Sequence, residues 1–494
     1  MTLGFLVSII GGIALALTLL IGIVLREQKN WLMTYAQSFV GALFIFSGFV
    51  KAMDPLGTAY KMEQYFAEFE STFSETWLSF IAPLFPALSE ASITFSVVMI
   101  VFEIVLGLMI LIGSSPRFSS WAFFLLVAFF TFLTGFTYLT GYVPNGVNFF
   151  EFGQWTAFEE TNMKVTDCGC FGDFLKLKPK TSFFKDIFLL IPAIFFLLRT
   201  KDMHQLFTPG TRRILNIVTL VGITIYCFSN YVWDIPHTDF RPFKAGVNIA
   251  AKKTAEEEAV INAKNTYVIT DKSTGEKIRL DEATYLRDYT KYKGDNFEMN
   301  VEKEDPAIPT TKISDFEIVD LDGNDVTEDI LTKEGYHFMI VAYKIPYAST
   351  KSSTTVQDTI FLLDTVQVEG FADSVQYVKR VGEIKDRTVS SEDFTFPEKY
   401  TKRYEEVLNP VLQAAEAAGV PAYTATGYTD PAMIDEFRHA TQSAYPFYVA
   451  DDILLKTIVR SNPGVVLWKD GEIVQKWHIN KLPAFGEIQQ QYLK

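Results

Sequence analysis

Thr94-Phe-Ser-Val-Val-Met-Ile-Val-Phe-Glu103-Ile-Val-Leu-Gly-Leu-Met-Ile-Leu-Ile-Gly113 contains a single ionisable side chain, Glu103. A hydrocarbon core about 30 Å thick is crossed by roughly 20 apolar residues in helical conformation, so this stretch reads as a membrane span. Residues 6–25, 33–50, 121–142, 183–198 and 214–233 share its character, with 183–198 short and holding Pro192. All six lie in the first half of the chain, and the second half supplies none. The expected fold class is a membrane α-helical bundle of about six transmembrane helices joined to an extracytoplasmic α/β domain.

The chain has 494 residues, enough for two or three domains, and a formal net charge of -14. Phosphate-rich partners call for a basic face, so nucleic acid is excluded and anionic lipid is disfavoured as the main partner. Three cysteines, Cys168, Cys170 and Cys227, allow at most one intramolecular pair and exclude a multi-bridge scaffold. The first four residues carry no basic n-region and no small-residue cleavage site follows the apolar run. The N-terminal stretch is therefore expected to remain as a span.

Basic residues concentrate in alternate connections: Arg26 and Lys29, then Arg117, then Arg199, Lys201, Arg212 and Arg213. By the positive-inside rule these connections are cytoplasmic, which puts residues 51–93, 143–182 and both termini outside an inner membrane. The acids Glu63, Glu68, Glu70, Glu75 and Glu90 suit that side, while Lys176, Lys178 and Lys180 are mild exceptions. Tyr138, Tyr142, Trp155 and Trp233 cluster near the outer boundaries, where amphipathic rings settle at headgroup level.

After Trp233 the chain turns to Asp-Ile-Pro-His-Thr-Asp-Phe-Arg-Pro-Phe, an extended linker by its prolines. The expected domains are a bundle over 1–233, a linker with a small hairpin-containing segment over 234–312, and an α/β domain over 313–494. Residues 250–262 read as a charged helix, and 266–269 with 277–280 as a hairpin around Ser273-Thr-Gly. Beyond 313 the pattern predicts strands at 338–343 and 422–426 and helices at 402–418 and 431–440, implying a parallel-sheet core. A closing hairpin is expected from Val465-Val-Leu-Trp468 and Glu472-Ile-Val-Gln-Lys-Trp477 around Lys469-Asp-Gly471.

The sharpest chemical motif is Asp167-Cys-Gly-Cys-Phe-Gly-Asp173, on the side expected to be oxidising. A bridge between Cys168 and Cys170 would close a tight ring, and strained disulfides are the more easily reduced ones. Gly169 and Gly172 supply the backbone freedom that such a ring needs. A redox pair, a permanent staple and two inert thiols all remain open, and with neither a histidine nor a third cysteine nearby no metal is expected. Cys227, about two helical turns below the outer end of the last span, is a candidate resolving thiol or a small packing residue. Glu103 is a candidate intramembrane acid or base, with Lys51 as its charged partner, or a protonated structural group. Lys51 can also snorkel at the outer end of its span, where Asp54 and Pro55 end one helix and start the next.

Gly48-Phe-Val-Lys-Ala-Met-Asp-Pro-Leu-Gly57, Glu103-Ile-Val-Leu-Gly107 and Asp167-Cys-Gly-Cys-Phe-Gly-Asp173 resemble the DoxX and MauE family of redox-associated membrane proteins, over residues 1 to about 233. The post-membrane segment 239–249 is similar to that of long forms with a C-terminal extension in the Bacteroidota. The resemblance implies disulfide chemistry linked to methylamine dehydrogenase maturation, and quinone as an electron acceptor. Residues 457–471 are similar to the end of a thioredoxin fold, with Pro463 at the cis-proline position. At the position matching the thioredoxin Cys-X-X-Cys this chain has Lys344-Ile-Pro-Tyr-Ala-Ser349, so the thioredoxin-like domain cannot itself exchange thiols. Two readings follow. In one, Cys168 and Cys170 exchange electrons with an envelope thiol protein docked by the C-terminal domain. In the other, the chain is a non-enzymatic, bilayer-anchored scaffold of an envelope complex, with a structural disulfide.

Overall fold

The computed structural model describes residues 2–294, 296–367 and 375–493, so Met1, the first of the four residues weighed against a signal peptide, lies outside them. The chain divides into two compact units: Met1–Lys244 with Thr457–Ser461, and Ala245–Lys456 with Asn462–Lys494.

The first unit is helical: α1 (Leu3–Leu19, continued by a π turn Leu20–Val24), α2 (Trp31–Met53), α3 (Pro55–Ser74), α4 (Leu84–Glu90), α5 (Ser92–Ile112), α6 (Pro116–Thr140), α7 (Pro179–Leu198) and α8 (Pro209–Phe228). Leu3–Val24, Trp31–Met53, Ser92–Ile112, Pro116–Thr140, Pro179–Leu198 and Pro209–Trp233 are each long and apolar enough to cross a bilayer. These six correspond to the expected spans with shifted ends.

Proline opens α3, α6, α7 and α8, where its missing N–H is no loss and its fixed φ suits the first turn. Polar caps set other starts: Asn30 accepts from the Met33 amide at 3.0 Å and Asp54 from the Gly57 amide at 3.1 Å. Asp54 thus ends α2 and begins α3 within one residue. Gly113 stops α5 at φ 66°, where a Cβ would fall 1.8 Å from the His204 carbonyl oxygen.

Helices α2 and α5 approach through glycine. A Cβ on Gly41 would meet the Gly107 carbonyl at 2.9 Å, and one on Gly107 would meet the Ile45 amide nitrogen at 3.0 Å. Lipid gives apolar helices little reason to associate, so such close backbone contact is a main source of attraction between spans. Leu43, Phe44, Leu106, Ile110, Phe123 and Phe196 fill the adjoining core.

The second unit is built on strands β1 (Val247–Asn248), β2 (Asn265–Asp271), β3 (Lys277–Asp281), β4 (Phe297–Lys303), β5 (Tyr336–Ala342), β6 (Ala348–Gln367), β7 (Val375–Thr395), β8 (Ala422–Thr426), β9 (Phe447–Val449), β10 (Gly464–Lys469) and β11 (Glu472–His478). A six-stranded sheet has the order β1-β11-β10-β5-β8-β9. Phe338, Met339, Ile340, Val341 and Ala342 of β5 are all fully buried, as a central strand covered on both faces requires. The parallel core expected from the sequence is present in β5 and β8, and the sheet as a whole is mixed. β5, β8 and β9 run parallel, whereas β10 lies antiparallel to β5 and β11 antiparallel to β10. The short turn Asp470-Gly471 makes β10 and β11 a hairpin, which accounts for the second of these reversals.

Helices fall where expected at Ile249–Ile261, Asn409–Ala417 and Pro431–Thr441, the second preceded by a π turn Arg403–Leu408. β2 and β3 form the anticipated hairpin, and β4 completes a three-stranded sheet not foreseen from sequence. The long antiparallel ribbon β6–β7 was not foreseen either. The Asn462–Pro463 peptide is cis.

Overpacking a tight contact costs about 1–3 kcal/mol, so Gly107→Val is expected to lower the detergent melting temperature of the protein. Gly222→Ala, which meets nothing within 4 Å, should leave it unchanged or slightly raised. Equal melting temperatures for the two variants would contradict the α2–α5 packing.

Candidate functional site

Between α6 and α7 the chain carries Cys168 and Cys170 on a loop held from several sides. Gly169 (φ 60°) and Gly172 (φ 52°) both occupy the left-handed region, and the Gly172 amide donates to the Gly169 carbonyl at 3.1 Å. Phe171, only 2 % exposed, is sunk into the bundle core beside Phe46. Ser47 Oγ of α2 donates to the Cys170 carbonyl at 2.9 Å. The flanking acids are tethered as well. Asp167 pairs with Lys61 of α3 at 3.2 Å, and Asp173 pairs with Arg460 at 3.3 Å. Arg460 also grips Asp54, through Nε at 3.0 and 2.9 Å to its two oxygens.

Beneath the loop lies a set of buried charges. Lys51 Nζ donates to Glu103 Oε2 at 2.6 Å, with the lysine 6 % and the glutamate 2 % exposed. A second pair joins the neighbours Lys185 and Asp186 in the second turn of α7, and Thr134 Oγ1 of α6 donates to Asp186 at 3.0 Å. Isolated charges at such depth would be costly, whereas two pairs with added hydrogen bonds keep the cluster neutral.

Two hydroxyl groups complete the surroundings of the thiols. Tyr65 of α3 accepts from Thr137 Oγ1 at 3.3 Å and stands beside Cys168. Ser182 in the first turn of α7 is fully buried next to both sulfurs, and its Oγ has no hydrogen-bond partner among the described residues. Burial, and then the neighbouring Cys170, push the Cys168 thiol up to about 12, against the pull of the Ser182 and Tyr65 hydroxyls. Burial also raises Cys170, with Lys185 opposing, Asp186 adding and Lys51 opposing. Burial and then Cys168 hold Tyr65 well above its ordinary value. At neutral pH the reduced pair is therefore two neutral thiols, and both are free in this structure.

Of the residues singled out in the sequence, Cys168, Cys170, Lys51 and Glu103 share one neighbourhood. Cys227 does not join them: it is buried among Ala52, Val97, Ile100, Val101 and Ile104, a separate apolar cluster. Tyr65, Ser182, Lys185, Asp186 and Arg460 were not foreseen. Lys185 and Asp186 carried a readable signal, an adjacent cation and anion inside an otherwise apolar span.

Residues 29–145 match the family model described as Methylamine utilisation protein MauE. The match covers less than half of the chain. It takes in α2 to α6, with Lys51 and Glu103, and stops before the cysteine loop. No curated protein matches the chain, and no solved structure does. Over the matched stretch the chain is a MauE-like membrane protein.

Removing one partner of a buried pair leaves the other uncompensated, at about 3–5 kcal/mol. Lys51→Met is accordingly expected to destabilise the protein strongly in detergent melts. The double variant Lys51→Met/Glu103→Leu should recover much of the loss. Additive damage from the two substitutions would show that the charges are not coupled.

Proposed function

We propose that this MauE-like membrane protein sits in an inner membrane with both termini on the periplasmic side and performs thiol–disulfide exchange at Cys168 and Cys170. The observation that carries the reading is the setting of the pair: a glycine-bent loop, pinned at both ends, with two hydroxyls and two buried ion pairs gathered under its sulfurs.

In the oxidised protein a partner thiolate attacks Cys168 and displaces Cys170. The partner's second thiol then resolves the mixed disulfide and releases Cys168. Two S–H bonds of the partner become one partner disulfide, and the two electrons and two protons are left on Cys168 and Cys170. Ser182 and Tyr65 offer hydrogen bonds to the departing sulfur and Lys185 offers charge, so the pair is received in a setting that ends with both sulfurs protonated. Reoxidation removes two electrons and two protons. A membrane quinone is the acceptor class implied by the DoxX resemblance, and methylamine utilisation is the context implied by the family description.

For residues 313–494 we read a thioredoxin-like domain that docks the thiol partner. The strand order β11-β10-β5-β8, with β5 and β8 parallel across an intervening helical segment, supports this reading. One observation favours the rival reading of an anchored scaffold with a structural disulfide: no cysteine occurs after Cys227, so that domain brings no thiol of its own.

Differential thiol labelling in membranes, with Cys227→Ser as the control, separates the two readings. The exchange reading expects a Cys168–Cys170 redox state that changes between oxidising and reducing growth, and a uniformly oxidised or uniformly reduced pair would defeat it. The raised thiols give a second expectation for the reduced protein. A thiol with a value of about 12 is ionised in on the order of one molecule in 10⁵ at pH 7. The thiolate is the reactive form, so alkylation of Cys168 should be slow at pH 7 and climb about tenfold per pH unit up to pH 10. A rate that levels off below pH 9 would contradict the buried setting.

A further inference from the structure

On the face of the first unit where α1, α5 and α7 end and α6 begins, three connections meet around a cavity of about 920 Å³. Lys29, Arg117, Arg199 and Lys201 line it, with Asp202 as the acid among its lining residues. Asp202 is engaged by Arg199 at 2.7 Å, and Lys29 reaches only the Lys201 carbonyl at 3.5 Å. Lys29, Arg117 and Lys201 therefore face the cavity with no carboxylate partner among the described residues. Gathering like charges around one concavity is unfavourable unless an anion sits among them.

Phe118 and Leu198, on the same wall, are 58 % and 77 % exposed. Trp121 follows Phe118 on α6, also exposed. The cationic cavity is thus continuous with bare apolar faces of two spans. The positive-inside rule accounts for basic residues in these connections but not for their convergence on one cavity. Nor does the net charge of -14 decide the matter, because charges more than about 10 Å away are largely screened at ordinary ionic strength.

We propose that this cavity binds the phosphate group of an anionic phospholipid, with Arg117 and Lys201 on the phosphate and the acyl chains lying along Phe118, Trp121 and Leu198. Basic pockets between spans on the cytoplasmic side are suited to such headgroups, and the charge bias assigns these connections to that side. The site is independent of the cysteine chemistry.

The test is native mass spectrometry of the full chain extracted from nanodiscs of phosphatidylcholine with phosphatidylglycerol. The wild-type protein should retain phosphatidylglycerol in preference to phosphatidylcholine. Arg117→Gln/Lys201→Gln should lower that preference on the order of 30-fold, each basic residue near an anionic headgroup contributing roughly a factor of five. Arg26→Gln/Arg213→Gln removes the same charge from exposed positions outside the cavity, where solvent and salt screen it from a headgroup in the cavity, and should change the preference by less than about twofold. Equal losses in the two double variants would mean a diffuse electrostatic effect and overturn the site, as would an unchanged preference in Arg117→Gln/Lys201→Gln. A parallel arm adds millimolar inorganic phosphate. Displacement of the lipid by phosphate, with the same dependence on Arg117 and Lys201, would identify a soluble phosphate as the occupant and overturn the lipid proposal.

Discussion

The contact between Lys51 and Glu103 constrains the rest of the membrane unit. Two opposite charges in apolar helices tolerate little separation, and at 2.6 Å they fix the register of α2 against α5 at one level of the bundle. Once that level is set, Gly41 and Gly107 can meet backbone to backbone farther along the same two helices. Ser47, one turn before Lys51 on α2, is then presented to the Cys170 carbonyl. The thiol loop is thereby held by the same helix that carries the ion pair, and a shift of α2 by one turn would undo both.

The surroundings of the cysteines differ from those of a freely exposed reactive thiol. Reactive cysteines ordinarily sit in electropositive, partly exposed places that lower their pKa. Here the cations Lys51 and Lys185 are each matched by a carboxylate, so the field they project is dipolar, and burial dominates. Such an arrangement stores hydrogen on sulfur. In the exchange we propose, it suits a pair that accepts electrons together with protons better than one that waits as a thiolate. Tyr65 and Ser182 add polarity without charge, which leaves that balance intact.

Much of this was legible in the chain, for identifiable reasons. The spans are readable because lipid demands an uninterrupted apolar helix, and Glu103 stands out because a charge there needs a reason. Asp54-Pro55 announces a helix boundary through capping and φ restriction alone, and Asp470-Gly471 announces a hairpin. These are local signals, each contained within a few residues. What was missed depends on distant partners. Lys185 and Asp186 fall just inside a short span, where snorkelling to the interface would serve equally well, and only the approach of Thr134 shows that Asp186 is held inside. Ser182 and Tyr65 are ordinary residues in sequence, and nothing local marks them as neighbours of a sulfur. The antiparallel placement of β10 against β5 depends on a pairing that crosses more than a hundred residues, which periodicity cannot encode.

Arg460 lies 287 residues beyond Asp173, one of the two carboxylates it holds. A chain made at about 5–20 residues per second exposes Asp173 for roughly 15–60 s, and the earlier Asp54 for longer, before that guanidinium leaves the ribosome. Throughout that interval the bundle is already long enough to insert, while the far end of the cysteine loop still lacks its clamp. During biogenesis the thiols therefore pass through a stage in which the loop is held by Lys61, Ser47 and the buried Phe171 but not by Arg460. The order of synthesis makes that stage the one most open to oxidation by whatever the compartment supplies.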